Sequence, residues 1–226
     1  MKTITKVELD TLCRIGKAID EKGGYPAVVL HPNGTITKFW ARKKSLFSSA
    51  TFRPYSARFV KNAALLKARG VVVPEIVDHL KLENSHVRLV TYLGLSGISI
   101  RELIHSNPQQ IDLPSLCSYM HSLHNKGILF EGMHLGNIIQ MTDGYGLIDF
   151  TDVRFFKSSL SPRQRAINLR TPIRYQEDID ALAKANQPDL IETYLKVADL
   201  NEVSAQEIRN YPVSYTHLTL PTTPYV

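Results

Sequence analysis

Cysteine is scarce in this chain, and long apolar runs are missing from it. The 226 residues include only Cys13 and Cys117, which are far apart and outside any CxxC pair. This spacing excludes a disulfide framework and a cysteine-rich zinc site. No run of about 18 apolar residues could cross a bilayer, and the start, MKTITKVELDTLCRIG, lacks the apolar core of a signal peptide. We therefore expect a cytoplasmic globular protein, since 43 % hydrophobic residues can bury a core.

Acidic residues are missing from two long stretches, Lys22 to Pro74 and Val153 to Gln176. The basic residues of the first stretch are Lys22, Lys38, Arg42, Lys43, Lys44, Arg53, Arg58, Lys61, Lys67 and Arg69. Those of the second are Arg154, Lys157, Arg163, Arg165, Arg170 and Arg174. Such stretches attract the phosphates of a nucleotide, an anionic glycolipid or an anionic membrane surface. A solvated surface is the alternative. Nucleic acid is not favoured, because no zinc finger, RNA-binding strand motif or heptad-backed basic helix is present.

The last residues, VSYTHLTLPTTPYV at 213–226, differ from the rest of the chain. They contain no Lys, Arg, Asp or Glu and show neither helical nor alternating periodicity. They resemble the translation of a sequencing adapter, so we treat them as a non-native tail and leave them out of the fold prediction. A native unstructured tail is the alternative.

The first half of the chain predicts a hairpin, a helix and two further strands. The segment AVVLHPNGTITKFW has apolar strands on both sides of a Pro-Asn-Gly turn, which places Lys38 on the second strand. The segment RPYSARFVKNAALLKARG has helical apolar spacing between Pro54 and Gly70. Two more strands follow in VVVPEIVDHLKLENSHVRLVTYL, joined near Glu83 and Asn84.

The second half begins with a predicted helix, and a motif that contains the candidate functional residues Asn137 and Asp149 follows it. The segment DLPSLCSYMHSLHNKG predicts a helix capped by Asp112 and ended by Gly127. The segment MHLGNIIQMTDGYGLIDF then gives a loop with Asn137, a hairpin across Thr-Asp-Gly, and Asp149 after an apolar strand. Helices follow. The element order predicts an α+β fold.

This order, together with MHLGNIIQMTDGYGLIDF, resembles the protein-kinase-like fold from about Ala27 to Leu200. The most similar branch is that of the bacterial lipopolysaccharide core kinases, which act on heptose or Kdo, and the small toluene tolerance proteins. The resemblance implies two lobes. A small β-rich N-lobe would occupy 1–95, and a mostly helical C-lobe would occupy 96–212.

The resemblance also implies a nucleotide site with ATP and Mg²⁺. Asn137 and Asp149 match the residues that hold magnesium in kinase-like enzymes, where the cation neutralises charge on the phosphoryl group. Lys38 matches the strand lysine that reaches the nucleotide phosphates. Asn62 lies where kinases have the helix Glu that pairs with this lysine, and an amide cannot neutralise an ammonium group.

The carboxylate that orients the acceptor hydroxyl in kinases is absent. Gly132 occupies its position, five residues before Asn137, and a positive φ at this glycine would make an Asp costly there. The adjacent Glu131 and the nearby His134 are candidate catalytic residues, because histidine has a pKa suited to proton transfer at neutral pH. A loop-fixing histidine that bonds to the backbone is the alternative for His134.

Three functions follow from these residues. The first is a divergent kinase that phosphorylates a lipopolysaccharide core sugar at the cytoplasmic face of the membrane, in a cell-envelope or toluene-tolerance role. The second is a kinase-like pseudoenzyme that binds nucleotide and a partner. The third is a basic anion-binding module without a nucleotide site.

Overall fold

A computed structural model describes residues 1–21, 24–41 and 54–211 of the chain. Over these ranges the protein is α+β and divides into two compact units, with the division between Ser96 and Gly97. The sequence predicts this division after residue 95. The predicted tail at 213–226 lies outside the described residues, as do Lys22, Arg42, Lys43, Lys44 and Arg53 of the first basic stretch. No helix within the three ranges is long and apolar enough to cross a membrane.

The first unit is built on a mixed six-stranded sheet with two helices in its described part. The strands are β1 (Lys2–Ile4), β2 (Lys17–Glu21), β3 (Pro26–Leu30), β4 (Thr35–Trp40), β5 (Glu75–Leu82) and β6 (Arg88–Leu93), and the helices are α1 (Lys6–Ile15) and α2 (Tyr55–Ala68). Their order across the sheet is β1-β5-β6-β4-β3-β2. All neighbouring strands are antiparallel except β1 and β5.

The structure confirms the predicted elements of this unit. β3 and β4 form the hairpin, which the bond from the Gly34 amide to the His31 carbonyl closes. α2 follows Pro54, and Gly70 adopts a left-handed φ of 67° just after it. β5 and β6 are joined at Asn84, which also has a positive φ.

Each helix of the first unit covers one face of the sheet. Leu9 of α1 is fully buried in a cluster with Phe39 of β4 and Leu89 of β6. Phe59 of α2 packs against Trp40 and Tyr92 on the opposite face, with ring centroids 5.7 Å and 5.5 Å apart. Because side chains alternate along a strand, Lys38 shares the Trp40 face and not the Phe39 face.

The segment before β3 forms structure that the sequence did not predict. Thr5 caps α1, because its hydroxyl accepts a bond from the Glu8 amide while the Glu8 carboxylate accepts one from the Thr5 amide. β1 pairs in parallel with β5, and β2 adds to the edge of the hairpin. The sheet therefore has six strands where four were expected.

The second unit is mostly helical. Its strands are β7 (Ile98–Ser99), β8 (Ile128–Phe130), β9 (Ile138–Met141), β10 (Gly144–Leu147) and β11 (Val153–Phe155). Its α-helices are α3 (Ile100–Ser106), α4 (Leu113–Asn125), α5 (Pro162–Leu169), α6 (Gln176–Lys184), α7 (Leu190–Ala198) and α8 (Glu202–Asn210), with short 3₁₀ turns at Pro108–Gln110 and Leu135–Asn137. The strands form a sheet β10-β9-β7 and a separate pair β11-β8.

The predicted limits of α4 are confirmed. The Asp112 carboxylate accepts a bond of 2.9 Å from the Ser115 amide and caps the first turn. Gly127 ends the helix with a φ of 68°. A Cβ at this position would lie 2.5 Å from the carbonyl oxygens of Phe156 and Ser158, so only glycine fits. This turn leads the chain directly into β8 and the loop that follows it.

Candidate functional site

The loop from Phe130 to Asn137 is folded tightly by its own backbone. The Met133 amide donates to the Phe130 carbonyl, the His134 amide to the Gly132 carbonyl, and the Asn137 amide to the His134 carbonyl. Phe130, Met133 and Leu135 are fully buried and anchor the loop to the core. We call residues 130–137 the site loop.

Asn137 joins the two ends of the site loop and connects them to the next hairpin. Its side-chain nitrogen donates to the Gly132 carbonyl over 2.9 Å, and its backbone carbonyl accepts a bond from the Ile148 amide. Because the amide nitrogen is engaged within the loop, the amide oxygen is the atom suited to a hard cation. The side chain is 4 % exposed, so its orientation is fixed by its surroundings.

Asp149 follows the hairpin strand that pairs with the end of the site loop. β9 and β10 are antiparallel, with Leu147 opposite Ile138, so the chain reaches Asp149 two residues after this pair. Asp149 has a left-handed φ of 50°, which aspartate tolerates better than most residues. It is exposed, whereas the next residue, Phe150, is fully buried and holds the turn in place.

Asn137 and Asp149 offer the oxygen ligands that magnesium prefers. Mg²⁺ is commonly held by one or two protein oxygens together with water and substrate phosphates, so two protein ligands fit an ATP-dependent site. The described residues contain no group of three or more His, Cys, Asp or Glu that could hold a metal ion without such help.

Gly132 occupies the position where the resemblance implies a carboxylate. Its backbone would not prevent an Asp at this position, although the sequence suggested that it could. Its φ is outside the left-handed region, so the expectation of a possible positive φ is wrong. A Cβ here would lie 3.0 Å from the edge of the Phe130 ring and 3.7 Å from the Asn137 side-chain nitrogen. A side chain at 132 is therefore limited by the packing of Phe130, not by backbone strain.

His134 is neutral at physiological pH, which contradicts the prediction of a pKa near 7. Burial and, to a smaller extent, the Arg101 guanidinium lower the pKa of His134 to about 4, while the Asp149 and Asp178 carboxylates oppose the shift. The ring meets Tyr175 edge-on, with centroids 5.8 Å apart. A base with so low a pKa accepts protons poorly, so this side chain is better suited to hydrogen bonding in its neutral form.

Glu131, the other candidate for the carboxylate that Gly132 lacks, pairs with an arginine of the neighbouring strand pair. Its side chain is about half exposed and forms an ion pair of 2.9 Å with Arg154 of β11. Its backbone amide donates to the Asp152 carbonyl. These bonds hold Glu131 against β11, and its neighbour Gly132 is the residue that contacts Asn137.

A cluster around Asp178 supports His134 and was not predicted from the sequence. Asp178 is 1 % exposed and accepts two bonds from Arg101 Nε and Nη2, at 2.9 Å and 2.8 Å, and one from His105 at 3.0 Å. The Arg101 guanidinium also lies 3.9 Å from the centre of the Tyr175 ring. Since Tyr175 contacts His134, this cluster fixes one side of the site loop from α3 and α6.

A buried hydrogen-bond chain fixes the start of the site loop. The Asn168 side chain donates to the Phe130 carbonyl and accepts from the Phe130 amide, at 2.6 Å and 3.3 Å. Beyond it, His124 bonds to Asn168 and Tyr194, and Arg165 donates to the Tyr194 hydroxyl. Burial lowers the pKa of His124 to about 3, so its neutral ring can donate to Asn168 and accept from Tyr194.

The second basic stretch is not a uniform anion-binding surface. Arg165 is buried and bonds to Leu160, Tyr194, Asn125, Ser159 and His121. Arg170 donates to backbone carbonyls of Ile208 and Tyr211 near the end of the described chain. The expectation of a surface for anions is therefore wrong for the buried Arg165, and Arg170 is half-buried and bonded to neutral carbonyls. Lys157, Arg163 and Arg174 are exposed.

Lys38 and Asn62 belong to the first unit. Lys38 is partly buried on β4, and its ammonium lies 5.7 Å from the centre of the Trp40 ring. Asn62 is 7 % exposed and lies on the buried side of α2 together with Phe59. Because Phe59 contacts Trp40, the predicted pair is on the same side of the sheet.

Comparison with known proteins gives no family for this chain: no family model matches it, and no curated protein is significantly similar.

Proposed function

We propose that the protein is a divergent kinase-like protein that binds ATP with Mg²⁺. The observation that carries this proposal is the link between the site loop and the hairpin. Asn137 bonds to Gly132 through its side chain and to Ile148 through its backbone, so Asn137 and Asp149 lie at the same end of the hairpin and the Asn137 amide oxygen is left for a ligand. Phosphoryl transfer depends on positioning and electrostatics, which such a rigid pair of oxygen ligands supplies.

The remaining groups have roles consistent with this proposal. The neutral His134 can donate a hydrogen bond to a bound acceptor without a proton being transferred. Lys38 keeps the phosphate-binding role that the resemblance implies, with Asn62 in place of the usual acidic partner. The acceptor would be an anionic glycolipid, namely a lipopolysaccharide core sugar at the cytoplasmic face of the membrane.

The absence of a carboxylate at Gly132 favours a second candidate, a pseudoenzyme that binds nucleotide without turnover. The loss of a general acid or base typically slows a reaction by about 10²- to 10⁴-fold and leaves binding intact. Both candidates therefore share the nucleotide site and differ only in turnover.

The test is a thermal-shift titration with ATP, with and without Mg²⁺. We expect ATP at 100 times its dissociation constant to raise the free energy of unfolding by about 2.7 kcal/mol in the presence of Mg²⁺. Asp149→Asn should abolish this magnesium-dependent gain, because the cation loses its anionic ligand. Asparagine is chosen because it tolerates the left-handed φ of 50°.

Asp143→Asn is the matched control, since Asp143 is an exposed aspartate in the turn of the same hairpin. It should keep the full effect of MgATP. Lys38→Ala should weaken ATP with or without Mg²⁺. Absence of any nucleotide effect on the unmodified protein would contradict both kinase-like candidates and leave the anion-binding module.

A further inference from the structure

The segment Thr171 to Tyr175 runs along the site loop and carries one exposed arginine. The Thr171 hydroxyl donates to the Glu131 carbonyl over 3.4 Å, and the Tyr175 ring meets the His134 ring edge-on. These two contacts lie on either side of Gly132. The Arg174 amide closes a turn onto the Thr171 carbonyl, so Arg174 is held beside the part of the loop where an acceptor hydroxyl would have to be oriented.

The charge of Arg174 is not neutralised within the described part of the chain. Its side chain is exposed, and it forms no ion pair with any described residue, whereas the neighbouring Arg101 is bound by Asp178 and Arg154 by Glu131. Arg174 is close enough to affect His134, whose pKa it helps to lower. An arginine beside a site loop with no acidic partner is suited to bind a carboxylate or phosphate of a ligand.

The position of Arg174 relative to the loop indicates which anion it would meet. Asn137 and Asp149, the proposed ligands of the nucleotide's magnesium, are at the end of the site loop and beyond it. The contacts of the Thr171–Tyr175 segment are with Glu131 and His134, on either side of Gly132. We infer that Arg174 binds the anionic group of the acceptor, a phosphorylated or carboxylated sugar, and so determines acceptor specificity. This inference rests on the proposed function.

Ligand-observed NMR with saturating MgADP tests this role. The probes are glucose 6-phosphate, glucuronate and glucose, which share a ring and differ in charge. We expect the two anionic sugars to bind the unmodified protein about tenfold more tightly than glucose, since hydrogen bonds to a charged group discriminate by about that factor. Arg174→Gln should remove this preference and leave glucose binding unchanged.

Arg163→Gln is the matched control. Arg163 is also exposed on the second basic stretch, but it lies about 140° around α5 from Asn168, the residue that contacts the site loop. This variant should change the affinity for either anionic sugar less than twofold. Equal losses in both variants, or no preference for anionic sugars in the unmodified protein, would overturn the inference.

The affinity for MgATP separates this inference from the proposed function. Arg174→Gln should leave the thermal shift with MgATP unchanged, because the arginine lies on the acceptor side. A loss of MgATP binding in this variant would assign Arg174 to the nucleotide phosphates and overturn the inference. If MgATP fails to shift even the unmodified protein, the proposed function fails first, and that result does not depend on Arg174.

Discussion

At the scale of single residues, Gly132 is the position that decides between the two proposed functions, an active kinase and a pseudoenzyme. Gly132→Asp would place a carboxylate beside the Asn137 amide, since a Cβ at 132 lies 3.7 Å from that nitrogen. The backbone allows the change, but the Phe130 ring must move by a few tenths of an ångström. We expect a loss of about 1–3 kcal/mol in the free energy of unfolding from this crowding. If only the carboxylate is lacking, magnesium-dependent ATP turnover should rise by about 10²-fold or more.

Gly132→Ala is the control for this variant, because it adds the same Cβ without the carboxylate. It should lose similar stability and gain no turnover, as measured by urea denaturation and phosphate release. A folded Gly132→Asp protein that binds MgATP as tightly as before and still shows no turnover would favour the pseudoenzyme.

The residues of the site differ in how well a single sequence can reveal them. Asn137 and Asp149 could be proposed because they belong to one local motif of known spacing. A single sequence does not reveal the roles of Asn168, Arg101 and Asp178. Each contacts a residue at least 38 positions away, and contacts between residues so far apart leave no pattern in the local sequence. His134 was found, but its low pKa depends on burial and on Arg101, which only the folded chain brings to it.

At the scale of the elements, the sequence contains a start signal for α1, a helix that was not predicted. Thr5 and Glu8 form a capping box just before apolar positions at helical spacing, which is a typical start of a helix. By contrast, the parallel pairing of β1 with β5 joins residues about 78 positions apart. Such a contact leaves no local pattern, so the two extra strands could not be placed.

The buried side of α1 gives a prediction about this element. Leu9 is completely buried in the cluster with Phe39 and Leu89, so Leu9→Ala should lower the free energy of unfolding by about 2–5 kcal/mol. Val7→Ala is the matched control, since Val7 is 75 % exposed on the same helix and should change stability by less than about 0.5 kcal/mol. Urea denaturation measures both. A small effect of Leu9→Ala would mean that α1 adds little to the core of the first unit.

At the scale of the whole molecule, the net charge and the buried histidines both lower the stability of the fold as the pH falls. The chain has a formal net charge of +6 at pH 7, so acid adds positive charge to a protein that is already positive. Burial also lowers the pKa values of His31, His79 and His121, besides those of His124 and His134. These histidines belong to both units, so each unit has its own source of acid sensitivity.

The sign of the effect follows from the pKa values. The ordinary histidine pKa is 6.5, and burial holds those of folded His124 and His134 at about 3 and about 4. Below pH 6.5 the unfolded chain therefore binds protons that the folded chain does not, and stability falls as the pH falls. Between its folded and its unfolded pKa, each of these two histidines lowers the free energy of unfolding by about 1.4 kcal/mol for each unit that the pH falls. Above about pH 7.5 it has no such effect.

Urea denaturation at several pH values between 4.5 and about 7.5 should show this loss. His124→Gln should lower stability at the upper end, because Tyr194 and Asn168 lose a shared partner, and should flatten the decline in acid by the contribution of one histidine. His86→Gln, at an exposed position, is the control and should leave the decline unchanged. An equal decline in His124→Gln and in the unmodified protein would mean that His124 is protonated in the fold. In that case the neutral hydrogen-bond chain from Arg165 to Phe130 would hold the site loop only above about pH 6.5.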